Sequence, residues 1–190
     1  MTLFEIFRQV YDVSPQVVKE VENCAKLRVF QKRERLVEQN AKCNHVYFIV
    51  EGLCRGLHEK SGGEDTRWFA KDGDVLTSVT SWHTGEPALF AIEAITDVKA
   101  YEVLYEDMKL LVTDNRELQD WLVRVLMEQL YVLEQRYVII GTGDARSRYE
   151  ALLRGRPQEV LNEIPLKYLA QYLKMSQETL SRVRRACVKS

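Results

Sequence analysis

The sequence predicts an α+β protein in three parts: a β sandwich or jelly-roll barrel, a long helix, and a C-terminal helix-turn-helix unit. Three observations carry this reading. From residue 25 to about 103, short β-rich segments alternate with turns. From about 107 to 140, apolar residues recur with helical period. From 164 to 185, two short amphipathic patterns flank a break at Lys174-Met175. A glycine pair places the domain boundary, giving residues 1–140 and 141–190.

Residues 1–23 read as two short helices that pack on the part after them. Phe4, Ile6, Phe7 and Val10 share one face; Ser14-Pro15 opens the second helix, with Val17, Val18 and Val21 turned inward. The candidate strands are 27–30, 46–50, 54–58, 67–70, 75–79, 89–94 and 98–104, with Ser61-Gly62-Gly63 as a hairpin turn. A barrel of this size has room for one small ligand.

The long helix carries two stripes. Leu118, Trp121, Leu122 and Val125 suit packing on the β part. Val123, Leu126, Leu130, Leu133, Tyr137 and Ile140 step alternately by three and four, the a/d seam of a two-stranded coiled coil. A helix apolar on two sides needs two partners, and the second is a copy of itself; the alternative is one wide stripe buried inside a single subunit. Gly141-Thr142-Gly143 ends the helix as a joint. Asp144 caps a helix over 145–153, which Gly155-Arg156-Pro157 stops, and residues 157–163 lead on.

In the C-terminal unit, Pro165 suits a first helical turn, and Leu166, Leu169, Ala170 and Leu173 form one apolar face. Ser176 is placed to cap the next helix, with Leu180 and Val183 inward. Ser176, Gln177, Glu178, Thr179, Ser181, Arg182, Arg184, Arg185 and Lys189 remain for DNA. Gln177, Glu178 and Arg182 are assigned to base edges and the others to phosphates. An ordinary helical hairpin with a solvated face is the plain alternative. The mixture of Arg with Gln, Thr and Ser, instead of alternating Lys and Glu, favours DNA.

Charge agrees. Residues 144–190 hold ten basic and five acidic side chains, leaving seventeen basic against twenty-three acidic in residues 1–143. An acidic body with a basic tail fits a nucleic-acid binder with a separate sensor. No run reaches the roughly 18 apolar residues of a membrane span, and the N-terminus lacks a signal-peptide pattern. A cytoplasmic protein without membrane partners is expected. Cys24, Cys43, Cys54 and Cys187 have no metal-type spacing, and His45, His58 and His83 are scattered. No metal or cofactor is expected.

Ser176-Gln177-Glu178-Thr179-Leu180-Ser181-Arg182 resembles the recognition-helix signature of the CRP/FNR family of bacterial transcription regulators. Val46-Tyr47-Phe48-Ile49-Val50-Glu51-Gly52 resembles the family's strand and glycine turn, and Asp72-Gly73-Asp74-Val75 its later turn. The resemblance implies a double-stranded β-helix (jelly roll) of the cyclic-nucleotide-binding type and a dimerisation helix over about 107–140. It further implies a helix-turn-helix on a near-palindromic operator in double-stranded DNA, RNA polymerase as a partner, and no enzymatic activity. Dimerisation falls to Val123, Leu126, Leu130, Leu133 and Tyr137.

The sequence also departs from that family. Nucleotide-binding members use a Gly-Glu pair for the ribose and an Arg-Ser pair for the cyclic phosphate. Thr77-Ser78 and Ala88-Leu89 stand at those places here. A buried phosphate needs a charge-assisted donor, best a guanidinium, and Ala88 and Leu89 supply none. Cyclic AMP is therefore not expected. Either an unknown small-molecule effector meets Ser78, Trp82, Ala88 and Leu89, or the pocket holds only side chains, with Trp82, Leu89 and Phe90 packed as its apolar filling. The family's C-terminal wing does not follow Arg185 in this sequence; either affinity is weaker for it, or residues such as Arg146, Arg148 and Lys167 supply its phosphate contacts. Two other classes stay open: a ligand-binding jelly-roll module without DNA binding, and a cupin-like metalloenzyme.

Overall fold

The computed structural model describes residues 1–141, 143–155 and 158–188. Its centre is a roll of two four-stranded antiparallel sheets. The strands are β1 (Lys26–Phe30), β2 (Arg35–Val37), β3 (His45–Glu51), β4 (Cys54–Lys60), β5 (Gly63–Ala70), β6 (Val75–Leu76), β7 (Ala91–Ala94) and β8 (Val98–Leu104). One sheet runs β1-β8-β3-β6 and the other β2-β7-β4-β5.

β3 shows why the roll holds. Its run Val46-Tyr47-Phe48-Ile49-Val50 is apolar without alternation because both of its faces are covered. Tyr47 and Ile49 point into the roll with Phe30, Leu36, Ala100 and Ile92. Val46, Phe48 and Val50 point outward into a second core, shared with α1 (Leu3–Val10) and α2 (Pro15–Cys24). There Phe7 stacks on Phe48 at 5.4 Å and meets the Trp121 ring, tilted, at 4.4 Å. α1 starts on a reciprocal cap: the Thr2 hydroxyl accepts from the Glu5 amide, and the Glu5 carboxylate accepts from the Thr2 amide. After β3 the chain turns at Gly52, where φ is +105° and an added Cβ would sit 2.3 Å from the Asp97 carbonyl oxygen. Only glycine fits there.

Several elements differ from the sequence expectations. The strand expected over 75–79 ends at Leu76, because Ser78 caps a short helix, α3 (Val79–Thr84), by accepting from the Ser81 amide. β2 was not expected. The long helix of 107–140 is two helices, α4 (Tyr105–Asp114) and α5 (Arg116–Gly141). Asn115 divides them: its side-chain oxygen accepts from the amides of Glu117 and Leu118 at 2.9 and 3.2 Å and starts α5 afresh.

α6 (Ala145–Gly155) begins on Asp144, whose carboxylate accepts from the Ser147 amide at 2.9 Å. α7 (Gln158–Glu163), α8 (Leu166–Tyr172) and α9 (Gln177–Val188) complete the chain, α7 standing where only a connection was expected. Thr142 of the glycine joint, Arg156 and Pro157 of the helix stop, and the DNA candidate Lys189 lie outside the described residues. A third core joins the C-terminal helices to the roll: Leu53, Phe69 and Ile95 from the roll's outer side pack with Tyr149, Leu152, Leu161, Leu169, Tyr172 and Leu180. No described helix is long and apolar enough to cross a membrane.

Candidate nucleic-acid interface

The turn between α8 and α9 is built by the backbone. Lys174 adopts a left-handed conformation, with φ of +55°. Its amide donates to the Gln171 carbonyl at 3.2 Å and the Met175 amide to the Ala170 carbonyl at 3.0 Å. This is the Schellman arrangement, usually closed by glycine. Leu169, Ala170 and Leu173 are buried from α8, and Leu180 from α9, so the two helices are clamped through one apolar seam. Ser176 then caps α9, its hydroxyl accepting from the Thr179 amide at 3.1 Å.

α9 leaves one polar face open. Gln177, Glu178, Arg182 and Arg185 are exposed, and Thr179 and Ser181 are half-buried beside them. Positions 177, 181 and 185 form one row and 178 and 182 the next, as helical spacing dictates. Hydrogen bonding from Ser176 and from Glu178's own amide holds the Glu178 carboxyl below its ordinary range, so it stays an acceptor. An open groove of about 330 Å³ runs beside this face, lined by Asp144, Arg146, Thr179 and Arg182 among others.

Two expected phosphate ligands are engaged elsewhere. Arg184 donates to the Asn162 side chain at 3.0 Å, which draws it back to its own unit. Lys167 forms an ion pair with Glu64 at 3.1 Å, on the side facing the roll. Of the other two substitutes for a wing, Arg146 pairs with Glu150 at 2.7 Å along α6, and Arg148 reaches the Lys174 carbonyl at 3.5 Å.

On α5 the expected seam lies open. Val123, Leu126, Leu130, Leu133 and Tyr137 are 49–73% exposed in the single chain, with Met127, Tyr131 and Val138 beside them. The opposite stripe is covered: Leu118 and Trp121 are fully buried against the roll's helical collar, and Leu122 and Val125 pack beside them.

The four residues expected around an effector do not converge. Ser78 caps α3, and Trp82 packs edge-on against Tyr105 at 4.5 Å in the outer core. Leu89 is 52% exposed. Ala88 alone belongs to the roll interior, where its backbone is stitched to the 40–41 segment: its amide donates to the Ala41 carbonyl at 2.8 Å, and the Asn40 amide to its own carbonyl at 2.9 Å. The short α3 moved Ser78 and Trp82 off the path that an ungapped reading assumed. Around Ala88 the roll interior is lined by apolar side chains, Tyr47, Ile49, Ile92 and Ala100 among them. The Tyr47 hydroxyl donates to the Leu36 carbonyl at 2.8 Å, and Trp68 lies across Gly56, where an added Cβ would fall 2.1 Å from the indole. Burial pushes the Cys54 thiol up to about 12.

A second polar cluster, not anticipated from sequence, lies between the roll and α8. Arg55 of β4 is 1% exposed. It donates to Glu93 at 2.9 Å, Thr66 at 3.2 Å and Glu64 at 2.8 Å, and the Tyr168 ring of α8 covers its guanidinium at 3.6 Å. The one sequence signal was Lys174, a bulky residue where a helix end usually takes glycine.

Comparison with known proteins fits this geometry. Residues 27–115 match the family model of the cyclic nucleotide-binding domain. The structure is similar to FixK2 from Bradyrhizobium japonicum, with a TM-score of 0.76 and 20% identity, covering 87% of this chain and 85% of that one. It is similar to a CooA variant from Carboxydothermus hydrogenoformans, with a TM-score of 0.73 and 19% identity over 100% of this chain and 85% of that one. A protein described as a transcriptional regulator of the CRP/FNR family, from Eubacterium rectale, gives 0.70 and 16%, over 92% and 83%. At these identities the likeness is one of fold. No curated protein sequence matches significantly.

Proposed function

Since this chain carries a cyclic nucleotide-binding domain at residues 27–115 within the fold of CRP/FNR regulators, we propose that it is a homodimeric transcription regulator that binds specific double-stranded DNA. The observation that carries the reading is the open face of α9. A capped helix at a basic end of the chain offers Gln177, Glu178, Arg182 and Arg185 to solvent on one side, with Ala186 the one small apolar side chain exposed among them in the described part of the helix. That is the chemistry a major groove requires: a carboxylate to accept from cytosine N4, an amide for adenine, a guanidinium to fork onto guanine.

In this reading Gln177, Glu178 and Arg182 read base edges. Ser176, Thr179, Ser181 and Arg185 hold phosphates and set the register. The exposed seam of α5 pairs with the same seam of a second copy, and the two α9 helices meet half-sites about 34 Å apart. The apolar surroundings of Ala88, with no cationic donor in that cluster, support a regulator that does not take cyclic AMP.

Fluorescence anisotropy with DNA fragments enriched by the protein tests the reading, repeated over a range of salt. Specific binding should fall with rising salt as phosphate contacts release counterions. Arg182→Ala should cost about 1–3 kcal/mol at one base position and relax preference there; absence of specific binding by the wild-type chain at low salt refutes the regulator. Leu126→Lys with Leu130→Lys should yield monomers by light scattering, and an unchanged dimer mass refutes the seam.

A further inference from the structure

The structure assigns to the β4–β5 hairpin a role as a latch that fixes the attitude of the helix-turn-helix unit in the absence of any small molecule. The inference rests on the regulator reading for what the latch serves, and on the contacts below for its existence.

Three successive residues of β5 take hold of α8 and its turn. Glu64 accepts from Lys167 at 3.1 Å, and its carbonyl accepts from the Gln171 amide group at 3.1 Å. Asp65 accepts from Lys174 with both oxygens. Thr66 donates to the Gln171 side-chain oxygen at 2.7 Å. Beneath them Arg55 gathers Glu93, Thr66 and Glu64, and Tyr168 seals it from water. Phe69 packs on Tyr172 at 5.3 Å, and Arg136 from α5 lies over the other side of that junction, 4.6 Å from the Tyr172 ring. Roll, long helix and DNA-binding unit therefore meet at one place.

Three features make this a device and not incidental packing. Isolated surface ion pairs hold little, but Arg55 is desolvated, and swinging α8 away would strip its cover and leave a buried charge half-satisfied. Lys174 keeps a left-handed backbone that glycine would adopt without cost, and its ammonium is the group that Asp65 holds. The latch also uses the side of α8 away from the open face of α9: Gln177, Glu178, Arg182 and Arg185 are exposed while the latch is closed. Nothing must open for DNA to be met, so the closed state is the one prepared for binding.

Lys174→Asn and Asp65→Asn test this, singly and together; asparagine tolerates the left-handed backbone and removes the cation. Two readouts are taken on the full chain: the rate of limited proteolysis within residues 141–148, and affinity for the DNA that the wild type selects. Each single variant should raise the proteolysis rate and weaken DNA binding, both by roughly tenfold; beyond the Arg67–Asp65 pair at 3.5 Å, which only Asp65→Asn removes, the double variant should add little to either. Unchanged proteolysis overturns the latch. Faster proteolysis with tighter DNA binding overturns its assigned sense and makes the contact a restraint on DNA binding. Faster proteolysis of the variants alongside a wild-type chain that binds no DNA keeps the latch and removes the regulator reading instead.

Discussion

The two sides of the β4–β5 hairpin differ in kind. On the inner side, Cys54, Gly56, Trp68 and Ala70 face the roll's apolar core. On the outer side, Arg55, Glu64 and Thr66 hold a buried ionic cluster against α8. Adjacent residues, Cys54 and Arg55, thus face opposite environments, as strand alternation requires. In a nucleotide-binding roll the charged chemistry belongs inside, around the phosphate. Here a charged cluster lies between the roll and α8. The difference teaches that one hairpin can turn apolar side chains to one face and a buried ionic cluster to the other.

The most severe way to break the contrast is Arg55→Ala. It strands the Glu93 carboxylate, 8% exposed, without its guanidinium. Removing one member of such a pair should cost about 3–5 kcal/mol, read as a fall in the urea midpoint. Arg55→Met together with Glu93→Leu removes both charges and should recover most of that loss. Failure to recover would mean that Arg55 acts through Tyr168 and Thr66 more than through Glu93.

The inner side is tested by Gly56→Ala. The new methyl would lie 2.1 Å from the Trp68 indole. In a filled roll the indole has nowhere to go, and overpacking should cost about 1–3 kcal/mol. In a hollow one it would swing inward, and stability would hold. The same unfolding experiment therefore measures whether the roll has space for an effector.

The parts of this molecule legible in the sequence are those whose signals are local. The apolar faces of α1, α2 and α8, the Ser176 cap and the unbroken run of β3 each follow from spacing alone. So did the two stripes of α5, one now buried at Leu118 and Trp121 and the other open at Leu126 and Leu130. Asn115 was missed because a cap inside a continuous helical pattern leaves the period almost undisturbed. Arg55 was missed for a different reason. Its strand reads as apolar-in, polar-out, and what covers it arrives from Tyr168 on α8, far along the chain. Lys167 shows the same limit: on the helix it looks free for phosphate, and only the fold brings Glu64 to it.

The mildest test is acid. Glu64 and Asp65 have ordinary values of 4.5 and 3.8. Burial raises both, but hydrogen bonds from Arg55 and Lys167 to Glu64, and from Lys174 to Asp65, outweigh it and hold each carboxyl below its ordinary value. A depressed folded value contributes stability that is complete above the unfolded value and fades as pH falls through the folded one. Between pH 7 and pH 5 these two groups should therefore leave the proteolysis rate of residues 141–148 unchanged, and the rate should climb only below about pH 4. His58 stands opposite Asp65 across the ladder, with Lys60 and Arg67 nearby, so the series is repeated in His58→Gln. A rise between pH 7 and pH 5 that vanishes in His58→Gln would assign the effect to that side chain and not to the carboxylates. A rise that persists there would show that the two carboxylates are not held by their cations, and the outer side of the hairpin would lose its distinction from an ordinary solvated surface.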